Sequence, residues 1–182
     1  TIAKQADRMN RLISEISDSA LVDAELVQTK WHRFDLSVLI SDIVVNMTEN
    51  SKTVHVVLDA KINPRIKFLG LSDRIAQVAV NLIENAITFS PVGSKVNIIL
   101  KKSFRNVIEL IIEDSGPGVP STESEKIFER FYTNRAGESF KKNSSGLGLY
   151  ICKQIVEAHN GSIRIERSKK LSGARFIVRF QV

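Results

Sequence analysis

Apolar residues in the first 27 positions recur in alternating steps of four and three: Ile2, Ala6, Met9, Ile13, Ile16, Ala20 and Val27, with Asp23 the one polar residue in register. Nearly four heptads of this spacing predict a helix in a coiled coil or bundle, because a 3.5-residue repeat keeps one seam facing a partner. A stripe so regular favours a partner helix outside this sequence, or in a second copy, over packing on the chain's own domain. From residue 28 the period changes. Residues 28–34 read as a connector into a short strand, and Asp35 is placed to cap a helix over 36–50 whose apolar face is Leu36, Leu39, Ile40, Ile43, Val44 and Met47.

Alternation over 54–60 predicts a strand, Asn63-Pro64 a turn, and 66–69 a second strand. Ser72 or Asp73 then caps a helix marked by Ile75, Val78, Ala79, Leu82, Ile83 and Ala86, ending near Phe89 before Ser90-Pro91-Val92-Gly93. Strands follow over 96–101 and 107–114, joined by a turn at 103–106. A helix over 146–159 is closed by Asn160-Gly161 as a left-handed cap, and strands over 162–167 and 174–182 flank a polar turn at 168–173. The sum is an α+β fold, a two-layer α/β sandwich in which helices cover one face of a mixed sheet, preceded by a long coiled-coil-like helix.

The chemistry concentrates between residues 110 and 150. A buried strand, Leu110-Ile111-Ile112, runs into Glu113-Asp114-Ser115-Gly116-Pro117-Gly118, and Ser144-Ser145-Gly146-Leu147-Gly148-Leu149 opens the later helix. Glycines at a strand end and a helix start let a ligand approach the main chain, and free N–H groups at a helix N-terminus favour phosphate. One Gly-x-Gly alone is as often a simple turn. Here two of them flank residues 119–145, which is too long for an ordinary connection and reads as a lid. Asn81 and Asn85, four apart, share one helix face. Beside a phosphate site their amide oxygens suit magnesium; elsewhere such a pair would face solvent or bond within the core.

A net charge of +6 admits an anionic partner, but the basic residues are interleaved with acids, with no basic stripe bearing aromatics, so a nucleic-acid binder is the weakest class. Cys152 is the single cysteine, which excludes an internal disulfide and a cysteine-built zinc site; its apolar helix suggests a buried hydrophobe. His32, His55 and His159 share no metal-ligand spacing and read as structural. No apolar run reaches the roughly 18 residues of a membrane span. The first residue, Thr1, suggests a piece of something longer.

Asn81-Leu82-Ile83-Glu84-Asn85-Ala86, Asp114-Ser115-Gly116-Pro117-Gly118, Ile127-Phe128-Glu129-Arg130-Phe131-Tyr132 and Gly146-Leu147-Gly148-Leu149 together resemble the asparagine, first glycine, phenylalanine and second glycine boxes of bacterial sensor histidine kinases. Residues 30–182 are similar to their catalytic ATP-binding domain, of the superfamily shared with gyrase, the ninety-kilodalton chaperone and mismatch-repair ATPases. Residues 1–29 look like part of the second helix of the dimerisation and histidine-phosphotransfer hairpin. Stretches around residues 12–18 and 131–135 are similar to alphaproteobacterial sensors of the ChvG/ExoS kind.

The resemblance implies a Bergerat-type ATP site, with ATP and magnesium as cofactors. It gives Asp114 the adenine amino group, and Gly116, Gly118 and Val119 the surroundings of the base. Asn85 takes the magnesium, with Asn81 beside it; Ser145, Gly146, Leu147, Gly148 and Leu149 meet the phosphates. Glu84 is a candidate to polarise the incoming histidine, and Arg130 and Arg135 are candidates for the phosphate, alongside Lys141 and Lys142. Thr88 stands where the family often has a basic residue, and Thr133 and Asn134 separate the aromatics from Arg135, which weakens phosphate contacts there. Phe128, Phe131 and Tyr132 line the lid, by packing more than by stacking on the base.

In the superfamily's ATP hydrolases a general-base Glu resembles the first position of the asparagine box, which is Asn81 here, so water is a poor competitor. No histidine matches the family's acceptor pattern: Arg33, Val56 and Asn160 follow the three histidines. The acceptor helix is therefore expected upstream of Thr1. The implied partners are that helix within a homodimer and a response regulator, and the implied location is the cytoplasmic side of an inner-membrane sensor. The alternatives are a serine kinase of the anti-sigma-factor type and a degenerate nucleotide-sensing module.

Overall fold

The structure, a computed structural model, describes residues 30–49, 56–103, 105–132 and 146–182. The heptad stretch over 1–29 lies outside the described residues. Strand β1 (His32–Asp35) leads into helix α1 (Leu36–Glu49), where Asp35 Oδ1 accepts the N–H groups of Ser37 (3.0 Å) and Val38 (3.3 Å), the cap expected of it. The next elements are β2 (Val57–Ile62), β3 (Lys67–Gly70) and helix α2 (Ser72–Phe89), then β4 (Lys95–Lys102) and β5 (Val107–Glu113). Two single 3₁₀ turns, helix α3 (Gly148–Ala158), β6 (Gly161–Arg167) and β7 (Ala174–Gln181) complete the chain.

Five strands form one mixed sheet in the order β2-β4-β5-β7-β6, in which β2 runs parallel to β4 and the other pairs are antiparallel. One face carries Val96, Ile98, Leu100, Ile108, Leu110, Ile112, Phe176, Val178 and Phe180, all buried beneath the three helices. That is the two-layer arrangement the periodicity predicts. In α2, Ile75, Val78, Leu82 and Ile83 are at most 1% exposed, so each contributes about 1.5–3 kcal/mol.

Three local expectations change. β1 and β3 form a separate antiparallel ribbon, because the chain turns away from the sheet at Pro64 and Arg65, the latter left-handed at φ 59°. Neither Ser72 nor Asp73 caps α2: Leu71 is the N-cap residue without a side-chain bond, and its N–H is taken by His159. Helix α3 starts at Gly148, two residues late, because Gly146 is left-handed at φ 72°. At its other end Asn160 takes the left-handed conformation (φ 54°), and Gly161 opens β6.

Candidate functional site

Both glycine clusters meet the C-terminal half of α2. Asn81 Nδ2 donates to Gly148 O at 3.5 Å, and Gly148 lies against the Asn81 amide. Ser115 N–H donates to Ser90 Oγ at 3.3 Å, and a Cβ on Gly116 would come within 2.7 Å of Phe89 O, so only glycine fits there. Asn85 lies one turn beyond Asn81 and is half-buried like it, whereas Glu84 is exposed. Thr88 is half-buried two residues before the Ser90 cap.

Asp114 follows directly on β5 and is 3% exposed. Its Oδ1 accepts two backbone N–H groups, from Gly116 at 2.8 Å and Ala174 at 2.9 Å, while its own N–H donates to Ala174 O. Neither carboxylate bond falls on Oδ2. Burial raises the Asp114 carboxyl above its ordinary value, against the pull of those two N–H groups. A buried carboxylate held by only one oxygen is a costly arrangement for stability alone, and it leaves an acceptor for a ligand.

The turn behind Asp114 is a part of the site that the sequence reading did not find. Gly173 packs so closely on Asp114 that a Cβ would fall on its Oδ1 and carbonyl oxygen, and Gly118 (φ 76°) lies 3.5 Å from Gly173 by the same measure. Buried Ser168 organises the turn by accepting the N–H groups of Lys170 and Leu171 and donating to Glu113 Oε1 at 3.3 Å. Glu113, 4% exposed on the opposite face of the sheet, also meets Asn97 Nδ2 at 3.2 Å and Arg175 Nε at 3.4 Å. Ser172-Gly173 marks only a turn in sequence; its contact with residue 114 needs the β5–β7 pairing.

Of the segment expected to be a lid, residues 119–132 are described, and they are anchored. Ile127 and Phe128 are each 6% exposed, and the Phe128 ring meets Phe176 edge-on at 6.5 Å. Tyr132 is half-buried and donates its hydroxyl to Glu123 Oε2 at 2.8 Å. The anchoring role therefore holds for Phe128 and Tyr132. Phe131 departs from it: left-handed at φ 63° and 53% exposed, it carries the Arg130 guanidinium 5.2 Å above its ring, and the same guanidinium lies 5.9 Å from the centre of the Tyr150 ring. A Cβ on Gly146 would reach 2.6 Å from Tyr132 O, which joins this aromatic segment to the second glycine cluster. Arg135, Lys141, Lys142 and Ser145 lie outside the described residues, and Val119 is half-buried beside Gly118.

The reading of Cys152 as a buried hydrophobe holds: it is fully enclosed, its thiol is pushed up to about 12 by burial, and Sγ faces Val78 O at 3.8 Å. Among the described residues no three His, Cys, Asp or Glu side chains gather as a metal site. A cation here would rest on amide and phosphate oxygens, which the Asn85 side chain suits. No helix among the described residues is long and apolar enough to cross a membrane.

The family model for the histidine kinase-, DNA gyrase B-, and HSP90-like ATPases matches residues 70–182, and the chain belongs to this family. The sensor protein ChvG of Rhizobium meliloti (strain 1021) is 41% identical over 184 residues, taking in 94% of this chain and 32% of ChvG. ChvG of Agrobacterium fabrum is 40% identical, over 93% of this chain and 30% of its own length. The chain thus spans about a third of the length of these curated relatives. Among solved structures, the nucleotide-free catalytic domain of histidine kinase ThkA superposes with a TM-score of 0.72 at 28% identity, covering 84% of this chain and 96% of that one. The mycobacterial sensor histidine kinase MprB gives 0.70 at 26%, covering 82% and 96%. The α+β fold is that of histidine kinase catalytic domains, and these relatives favour the sensor-kinase reading over the anti-sigma and degenerate alternatives.

Proposed function

We propose that residues 30–182 bind ATP and transfer its γ-phosphate to a histidine on a dimerisation helix that precedes residue 1, for relay to an aspartate of a response regulator. The observation that carries this reading is Asp114: a buried carboxylate, held by two N–H groups on one oxygen, with Gly116 and Gly173 packed closely around it. Oδ2 takes the adenine amino group, and Gly116, Gly118 and Val119 border the base. The N–H groups of Gly146, Leu147, Gly148 and Leu149, at the positive end of α3, take the phosphates together with Ser145.

Asn85 offers its amide oxygen to the magnesium, and Asn81 holds Gly148 beside it. Bound magnesium neutralises charge on the phosphate oxygens, which is most of what phosphoryl transfer requires. Arg130, which lies over the rings of Phe131 and Tyr150, and Arg135 supply further positive charge, Thr88 and Tyr132 border the phosphates, and exposed Glu84 meets the incoming histidine. Asn81 cannot act as a base toward water, which disfavours hydrolysis. Residues 1–29 form part of the second helix of the dimerisation hairpin, making the parent a homodimer, and the domain works on the cytoplasmic side of a membrane-bound sensor.

Titration calorimetry with a non-hydrolysable ATP analogue, with and without magnesium, tests this reading. Binding that magnesium strengthens and Asp114→Asn abolishes is expected, followed by phosphotransfer to a separately supplied acceptor hairpin. Absence of binding in every condition, or labelled phosphate on an acid-labile histidine of this chain itself, would overturn it.

A further inference from the structure

Helices α2 and α3 are antiparallel and tied at three levels. At the nucleotide end Asn81 Nδ2 meets Gly148 O, and midway Cys152 Sγ meets Val78 O. At the far end the tie is His159, which follows α3 and is 3% exposed. Its Nε2 accepts the Leu71 N–H at 3.1 Å, and Nδ1 faces Ile155 O at 2.7 Å, so the ring is neutral with its proton on Nδ1. One imidazole thus joins the start of α2 to the end of α3. The space is closed: a Cβ on Gly70 would sit 2.7 Å from His159 Cδ2, and the rings of Phe68 and Phe180 lie 6.0 and 6.5 Å away.

A further neighbour is Trp31, the only tryptophan of the chain, stacked on the imidazole at 4.9 Å and 23°. Trp31 lies where the described domain begins and is 37% exposed. Without its indole, water would reach the imidazole and compete for both hydrogen bonds. We propose that His159 is a positioning residue for the nucleotide site and that Trp31 works through it. The stack fixes the start of α2 against the end of α3, and two stiff helices carry that spacing to Asn81 and Gly148, about 15 Å along α2. The consequence for phosphate binding rests on the nucleotide reading above; the clamp itself does not.

Amide hydrogen exchange without nucleotide tests the clamp in the wild type, Trp31→Ala and Trp31→Phe, each well below its melting temperature. Trp31→Ala should accelerate exchange at Ile151, Cys152 and residues 81–86 about tenfold more than at residues 108–112 of β5, and Trp31→Phe should restore it to within about twofold. Acceleration confined to residues 68–72 and 159–161, or equal everywhere, would overturn the proposal. Addition of an ATP analogue then reads the consequence. A saturable change in Trp31 emission is expected in the wild type and not in Asp114→Asn, with affinity at least about fivefold lower in Trp31→Ala and rescued in Trp31→Phe. ATP binding that is indifferent to Trp31, with unchanged exchange, sinks the clamp and leaves the nucleotide reading standing. Altered exchange without any ATP binding does the reverse.

Discussion

Asp114 Oδ1 accepts the backbone N–H of Ala174 at 2.9 Å across sixty positions of sequence. The bond ties the end of β5 to the start of β7 and orients the buried Asp114 carboxylate of the glycine-lined site. Asn at this position keeps an acceptor oxygen for both N–H groups but turns the other atom into a donor. Asp114→Asn should therefore fold normally and lose at least about tenfold in affinity for an ATP analogue, measured by calorimetry.

The same substitution carries a pH signature. Because burial raises the Asp114 carboxyl, the folded protein holds that proton more tightly than the unfolded chain does. The resulting stabilisation is complete below about pH 4 and is lost as pH rises through the folded value, so at neutral pH the buried charge is a net cost. The melting temperature of Asp114→Asn relative to wild type should rise with pH across that window.

His159 behaves oppositely. Burial lowers its pKa, the hydrogen bond to Ile155 O notwithstanding, so the unfolded chain binds the proton first. Stability should fall as pH drops below about 6.5 toward the folded value, since protonation sets an N–H against the Leu71 N–H. Melting curves of wild type and His159→Gln between pH 7.5 and about 5 should converge as the wild type loses this advantage.

Gly173 and Gly93 separate crowding from backbone strain. A Cβ on Gly173 falls on Asp114, whereas Gly93 has a positive φ of 77° and open space around it. Gly173→Ala should cost about 1–3 kcal/mol in denaturant titrations and abolish nucleotide binding. Gly93→Ala should cost about 1–2 kcal/mol from the left-handed backbone and leave binding unchanged.

Cys152, with its thiol pushed up to about 12, should react with a thiol reagent at pH 8 at least about a hundredfold more slowly in the native protein than in denaturant. Equal rates would mean that α3 leaves α2 readily.

Local periodicity made most of this fold legible. The alternation of Val96, Ile98 and Leu100 and the helical stripe from Ile75 to Ala86 each specify an element and its buried face, because a side chain's direction follows from period 2.0 or 3.6 without knowledge of the partner. Glycine clusters beside Asp114 and before α3, with Asn81 and Asn85 on one helix face, pointed to the site for the same reason: their chemistry is local. The α2 cap was misread because the acceptor for Leu71 comes from His159, 88 positions on, and no window of sequence holds both.

The sequence by itself determined which stretches are helices and strands, which faces are apolar, and which residue types could meet a nucleotide. Only the tertiary structure decided that Ala174 and Gly173 hold Asp114, that Asn81 meets Gly148, and that Trp31 rests on His159. Those pairings depend on strand order and helix packing, in which residues 59 to 128 positions apart compete for the same few ångströms. Close packing, rather than any local preference, selects among them.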